Sequence, residues 1–269
     1  MKFLLTAINA KFIHSNPAIY SLRAGVGEKL QPYVELAEFT INESLESILE
    51  GIWKRQPKVI GFSCYIWNWK LIREILTELP KILPDTEIWL GGPEVTYDGP
   101  GLLREFPQVT GIMVGEGEVT FREVLDHYVR ETETAGQSEQ QPESDSTVQQ
   151  AADRTGTVAG KSVEERFRQI PGLCLASGYT APRELTDLTT LPFLYEDMEP
   201  FTNRIIYYET SRGCPYRCSY CLSSIDKKVR LRDIDVVKRE LQFFLDQNVK
   251  QVKFIDRTFN CDHKHAMEI

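Results

Sequence analysis

No apolar run in the 269-residue chain approaches the ~18 residues that a membrane-spanning helix requires. The opening MKFLLTAINA is short, breaks at Lys11 and has no small-residue cleavage site, so it reads as a first β-strand and not as a leader. Positive charge is not in excess either. A net charge of −8 and a pI near 5.2 argue against bulk electrostatic binding to nucleic acid or anionic lipid. The one local basic run, KKVRLR at 227–232, reads as a solvated helix entrance. Cysteine is scarce and unevenly placed, at Cys64, Cys174, Cys214, Cys218, Cys221 and Cys261, which excludes a secreted disulfide framework and fits a reducing cytoplasm. Phosphate-binding loops are missing: there is neither G-x-G-x-x-G after a strand nor G-x4-G-K-[ST].

What remains is a globular chain with 42% hydrophobic residues, enough for buried cores and one or two domains. Residues 1–130 alternate short apolar runs with amphipathic stretches, the pattern of parallel strands covered by helices. Strands are expected at 2–8, 34–41, 59–65, 86–90 and 111–114. Helices are expected from Pro17 after an Asn16 cap, over the stripe Leu45, Ile48, Leu49, Ile52 and Trp53, and over Leu71, Ile72, Ile75, Leu76 and Leu79. A further helix carries Phe121, Val124, Leu125, Tyr128 and Val129 behind a Thr120/Glu123 capping box. Five such steps predict a flavodoxin-like doubly wound sheet, whose ligands bind outside the carboxyl ends of the strands. Gly91-Gly92-Pro93 and Gly115-Glu116-Gly117-Glu118 stand at two of those ends, where glycine permits close backbone approach to a flat or bulky ligand.

Residues 131–165 are rich in Ser, Gln, Glu, Thr and Gly and are expected to be a disordered linker or insertion, because they bury too little to offset ordering entropy. Residues 166–200 read as a connector with a small hairpin. In 201–269 a strand leads into Cys214-Pro-Tyr-Arg-Cys218-Ser-Tyr-Cys221, then a helix from about Asp233, a strand at 252–255 and a helix start at His263. Three closely spaced thiols admit two readings. One is an iron–sulfur cubane with one iron left open; the other is a structural zinc site completed by Cys261 or His263.

Arg212-Gly213 followed by C-x3-C-x2-C, with Tyr220 just before the last cysteine, resembles the radical S-adenosylmethionine (SAM) superfamily. The resemblance implies that Cys214, Cys218 and Cys221 hold a [4Fe-4S] cluster whose open iron chelates SAM for reductive cleavage, with an electron donor such as flavodoxin or ferredoxin. It implies Tyr220 against the adenine and Asp256 at the SAM amino group. A strand-end Asp is equally a helix cap. With GGPE and GEGE ahead of the cysteines, and the phrases KFIHSNPAIYSL and KFIDRTFN, the chain is similar to cobalamin-binding radical SAM enzymes with a further C-terminal domain. By that resemblance Ser63, Gly91 and Gly92 line the cobalamin nucleotide tail, and Gly115, Glu116, Gly117 and Glu118 border the corrin. D-x-H-x-x-G is absent after the first strand, so cobalamin without histidine ligation is expected, although His14 stands nearby. Tyr65, Trp67 and Trp69 are read as corrin cover or as packing.

A βα unit takes ~30 residues, so 201–269 suffices for about two units where the family's partial barrel has six. The expectation is a fragment of a longer enzyme, able to cleave SAM in its intact form and to use cobalamin for methyl transfer or related radical chemistry, on a substrate the sequence does not reveal. The competing expectation is a non-catalytic cobalamin- or metal-binding module, or a zinc-stapled one.

Overall fold

A computed structural model describes residues 1–11, 14–138, 162–224 and 228–269, which form two units: Met1–Ala10 with Gly25–Leu185, and Lys11–Ala24 with Thr186–Ile269. In the first unit five parallel strands, β1 (Phe3–Asn9), β2 (Val34–Thr40), β3 (Val59–Ser63), β4 (Glu87–Gly91) and β5 (Val109–Met113), stand in the order β2-β1-β3-β4-β5. That is the flavodoxin-like 2-1-3-4-5 arrangement. Every residue of β1 is buried, as expected for a strand covered on both faces.

The helices of this unit bury the stripes that their spacing predicts. In α3 (Trp69–Ile82), Ile72, Ile75, Leu76 and Leu79 are fully buried, each stabilising the fold by about 1.5–3 kcal/mol. In α2 (Leu45–Trp53), capped by Ser44, Ile48 and Ile52 are buried but Trp53, the last residue of the helix, is half exposed. The sequence does not announce α4 (Gly99–Glu105): glycine and proline open it, and the Asp98 side chain caps it by accepting from the Gly101 amide.

Three expectations need correction or addition here. Helix α5 (Glu118–Ser138) begins two residues ahead of the predicted cap, and Thr120 is buried, accepting from Arg183 Nε at 2.7 Å while Glu123 pairs with the same arginine. The long-range arginine has displaced a local capping box. Residues 173–179 form the expected hairpin, β6 (Leu173–Leu175) and β7 (Gly178–Tyr179), but in a setting the sequence does not reveal: β6 pairs antiparallel with β5 and extends the sheet to seven strands. Of the linker expected at 131–165, residues 139–161 lie outside the described residues, whereas 131–138 continue α5 and Ser162 opens α6 (Val163–Phe167) with a capping box. Arg166 explains the order at both ends. Its side chain, 4% exposed, pairs with Glu131 at 2.8 Å and Glu87 at 3.0 Å and lies over the Tyr128 and Phe167 rings.

In the second unit β8 (Ile206–Tyr208) and β11 (Val252–Phe254) pair in parallel, joined through α7 (Ile234–Asp246), and α8 (His263–Glu268) follows. This β8-α7-β11-α8 run is the two-step βα segment expected of a barrel's beginning. Strands β9 (Ser211–Arg212) and β10 (Arg230–Leu231) form a short antiparallel ladder. The core comprises Tyr195, Phe201, Ile206, Tyr208, Val237 and Phe244, while Leu245 in α7 is exposed. Helix α1 (Pro17–Gly25), which the sequence pattern groups with residues 1–130, contributes to this unit. Tyr20 packs on Phe201 with centroids 4.6 Å apart, and Ser15 Oγ accepts from the Tyr207 amide at 3.1 Å.

Candidate functional site

The carboxyl ends of β1, β3, β4 and β5 carry the first group of predicted residues. Ser63 closes β3, half exposed, and its carbonyl accepts from Asn68 Nδ2 at 2.9 Å; the same amide reaches the Ile8 carbonyl at 3.0 Å, while Asn68 Oδ1 takes the Tyr65 amide. One buried asparagine therefore ties the ends of β1 and β3 and the turn between β3 and α3. Gly91 ends β4. Gly92, at φ +110°, lies so close to the β3 end that a Cβ there would stand 2.5 Å from the Cys64 carbonyl oxygen. Only glycine satisfies both the left-handed backbone and that approach.

Gly115, at φ +79°, is exposed, and nothing lies within 4 Å of the point a Cβ would occupy, so the end of β5 is open. Glu116 and Gly117 are half buried and Glu118 is buried at the start of α5. Tyr65 and Trp67 stack face to face, centroids 4.4 Å apart and planes 9° apart, with Trp67 half exposed; Trp69 instead packs edge-on against Phe106. Two strand ends with positive-φ glycines beside an exposed aromatic stack suit a large, flat, partly apolar ligand. Cys64 and Cys174 are core residues: burial pushes the Cys64 thiol far up and the Cys174 thiol up to about 11, so neither offers a thiolate.

The cysteine loop lies in the second unit, between β9 and β10. Gly213 takes φ +94° where the loop leaves β9, with its would-be Cβ against the Lys228 carbonyl, and a Cys221 amide to Cys218 carbonyl bond of 3.1 Å closes the turn. Cys214, Cys218 and Cys221 are half buried and none is in a disulfide. Among the described residues no three Cys, His, Asp or Glu side chains converge on one point. Cys261 and His263, the candidate zinc complement, are both exposed, and Asp262 caps α8 through the His265 amide.

Tyr220 is 91% exposed. Asp256 caps no helix. Its Oδ1 accepts from Thr210 Oγ1 at 2.6 Å and Ser211 Oγ at 2.5 Å, and the Thr210 amide is shared between both oxygens at 3.2 Å. Thr258 Oγ1 lies 3.4 Å from Cys214 Sγ. These supporting contacts escape sequence reasoning because the partners are 44 to 46 positions apart. His14 packs its ring on Tyr207 in this second unit, and burial, followed by Lys253 and Lys11, holds its pKa down. Of the basic run, residues 228–232 are described, and there the Arg232 side chain, 9% exposed, pairs with Glu240 at 2.6 Å, with the Tyr208 hydroxyl on the same carboxylate.

Comparison with known proteins brings these observations together. Residues 4–125 match the family described as B12 binding domain. The 2-(S-pantetheinyl)-carbapenam-3-carboxylate methyltransferase of Streptantibioticus cattleyicolor is 27% identical over 81% of this chain and 29% of its own length. The cobalamin-dependent radical SAM methyltransferase TokK of Streptomyces tokunonensis is 27% identical over 76% of this chain and 28% of its own. In structure, the radical SAM methyltransferase TsrM of Kitasatospora setae, with cobalamin and a [4Fe-4S] cluster bound, superposes at a TM-score of 0.60 and 17% identity, covering 99% of this chain and 50% of that one. The chain spans less than half the length of the curated relatives it matches.

Proposed function

We propose that this chain, whose residues 4–125 match the B12 binding domain family and which is similar in sequence to a cobalamin-dependent radical SAM methyltransferase, forms the cofactor-binding part of such an enzyme, holding cobalamin in the first unit and a [4Fe-4S] cluster with SAM in the second. The observation that carries the proposal is the pairing of two features in one chain: glycine-marked strand ends on a 2-1-3-4-5 sheet, and three half-buried cysteines, none in a disulfide, on one loop after a βα-type strand.

The donor sets fit these groups. Thiols not committed to disulfides, on a loop whose exit is eased by Gly213, suit a cubane. Gly92 offers backbone where a side chain would intrude, Gly115 leaves the end of β5 open, and the Tyr65–Trp67 stack offers an apolar face. When bound, the cofactors supply reductive SAM cleavage and methyl carriage, chemistry that no side chain provides. This chain's residues bind and orient. Cys214, Cys218 and Cys221 hold the cluster; Tyr220, exposed, is available to stack on the adenine; Asp256 Oδ2, which takes only the shared Thr210 amide among the described bonds, can receive the SAM amino group. Ser63, Gly91, Gly92 and residues 115–118 would line the cobalamin side, with no histidine ligation proposed.

Anaerobic reconstitution followed by iron, sulfide and cobalt analysis and a 5′-deoxyadenosine assay tests the proposal. Iron and sulfide near four each with one cobalamin, together with SAM cleavage, is the expected result. One zinc with no cobalamin refutes it. Iron and cobalamin without cleavage assigns the chain a binding role alone.

A further inference from the structure

The turn after β11 touches the cysteine loop twice. Asp256 gathers the Thr210 amide and the Thr210 and Ser211 hydroxyls, all at the root of the loop and all buried at their residues. Two residues later, the Thr258 hydroxyl stands 3.4 Å from the first cysteine's sulfur, with Thr258 itself half buried. A charged carboxylate with three donors is a firm anchor, so the position of Thr258 over Cys214 is not left to a loose loop. With a free thiol, either atom of the Thr258–Cys214 pair can donate. Once the sulfur ligates iron it has no proton, and Thr258 is the only possible donor of the two.

A hydrogen bond to a ligating sulfur withdraws electron density from it and favours the cluster's reduced, more negative form; hydrogen bonds to the sulfurs are among the levers that set cluster potentials. We propose that Thr258 is a positioning residue that donates its hydroxyl to Cys214 Sγ and makes the cluster easier to reduce, with Asp256 fixing both the donor and the loop. The inference rests on the cluster assignment above. Its chemistry needs no added reactant, since only the distribution of charge over an existing Fe–S bond changes.

The test compares the full 269-residue chain with Thr258→Val, which removes the hydroxyl at nearly constant volume, and Thr258→Ser, which keeps it. Each is reconstituted anaerobically, its iron and sulfide are counted, and its midpoint potential is measured by titration followed by electron paramagnetic resonance. The expected result is equal iron in all three, equal potentials for wild type and the serine variant, and a more negative potential for valine. A valine variant that loads iron and titrates with wild type overturns the inference. Should valine block loading, Thr258→Ala takes its place with the same two outcomes; loss of loading in both, with serine loading normally, overturns the inference in favour of a structural role for the hydroxyl in the loop. Failure of wild type itself to load iron would instead sink the cluster assignment.

Discussion

Replacing Arg166 by methionine tests whether a buried ion pair, and not local propensity, keeps α5 and α6 ordered. The substitution retains an unbranched side chain against Tyr128 and Phe167 but leaves Glu87 and Glu131 without their cation. Removing one partner of a buried pair costs about 3–5 kcal/mol. The two carboxylate side chains are 21% and 18% exposed, so water screens them in part and the low end, about 3 kcal/mol, applies. At roughly 2–4 °C per kcal/mol for a unit of this size, melting should fall by about 6–12 °C. The triple variant Arg166→Met, Glu87→Gln, Glu131→Gln should recover most of that loss, because no uncompensated charge remains. Acid denaturation supplies a second readout. Burial by itself would raise the Glu131 pKa, but the Arg166 hydrogen bond and charge, with His127, outweigh it and hold the carboxyl below its usual value. A folded value below the unfolded one means that the contribution is complete above the ordinary carboxylate range and disappears as pH falls through the depressed value. The acid limb of the stability curve should therefore flatten in Arg166→Met. A variant that melts with wild type and keeps its acid slope would refute the reasoning.

Gly92→Ala should cost about 1–2 kcal/mol for the left-handed backbone alone, and more through the Cys64 carbonyl, and absorbance titration should show weakened cobalamin binding; Gly115→Ala, with open space around it, should carry the backbone cost alone and so melt closer to wild type than Gly92→Ala. Asp256→Ala removes the acceptor of the Thr210 amide, and hydrogen exchange there should accelerate by about tenfold or more, as loss of charge-assisted hydrogen bonds worth about 1.5–3 kcal/mol implies. Arg232→Met should destabilise the second unit by about 3–5 kcal/mol, since Arg232 and Glu240 side chains are only 9% and 8% exposed; denaturation monitored in the near ultraviolet reads it out.

The parts of the fold legible in the sequence are those governed by short-range periodicity. The stripe of α3, the buried β1 and β3, the Asp233 cap of α7 and the cysteine spacing can all be read within a window of a dozen residues. What escapes such a window is governed by distant partners. Thr120 satisfies the local rule for a cap, yet Arg183 claims its hydroxyl from 63 positions away. Glu131 looks like the start of a polar tract until Arg166 is known to lie beside it, and β6 looks like half a hairpin until β5 is available to pair with it. The candidate site divides along the same line. The three cysteines and the strand-end glycines are visible as motif and punctuation, whereas Asn68, Thr258 and the hydroxyls that meet at Asp256 become visible only when the strands they flank are brought side by side.

The second unit is written in two separated passages, residues 11–24 and 186–269. No single junction can transplant it. A gene hybrid joined near residue 186 would inherit Tyr207 and Phe201 but not the Ser15 and Tyr20 that bond to the one and pack on the other. Exchange between relatives must therefore preserve two boundaries at once, or repair the aromatic cluster afterwards. In evolutionary terms the short N-terminal passage is genetically linked to the βα segment that it serves, and substitutions in one should be judged against the other.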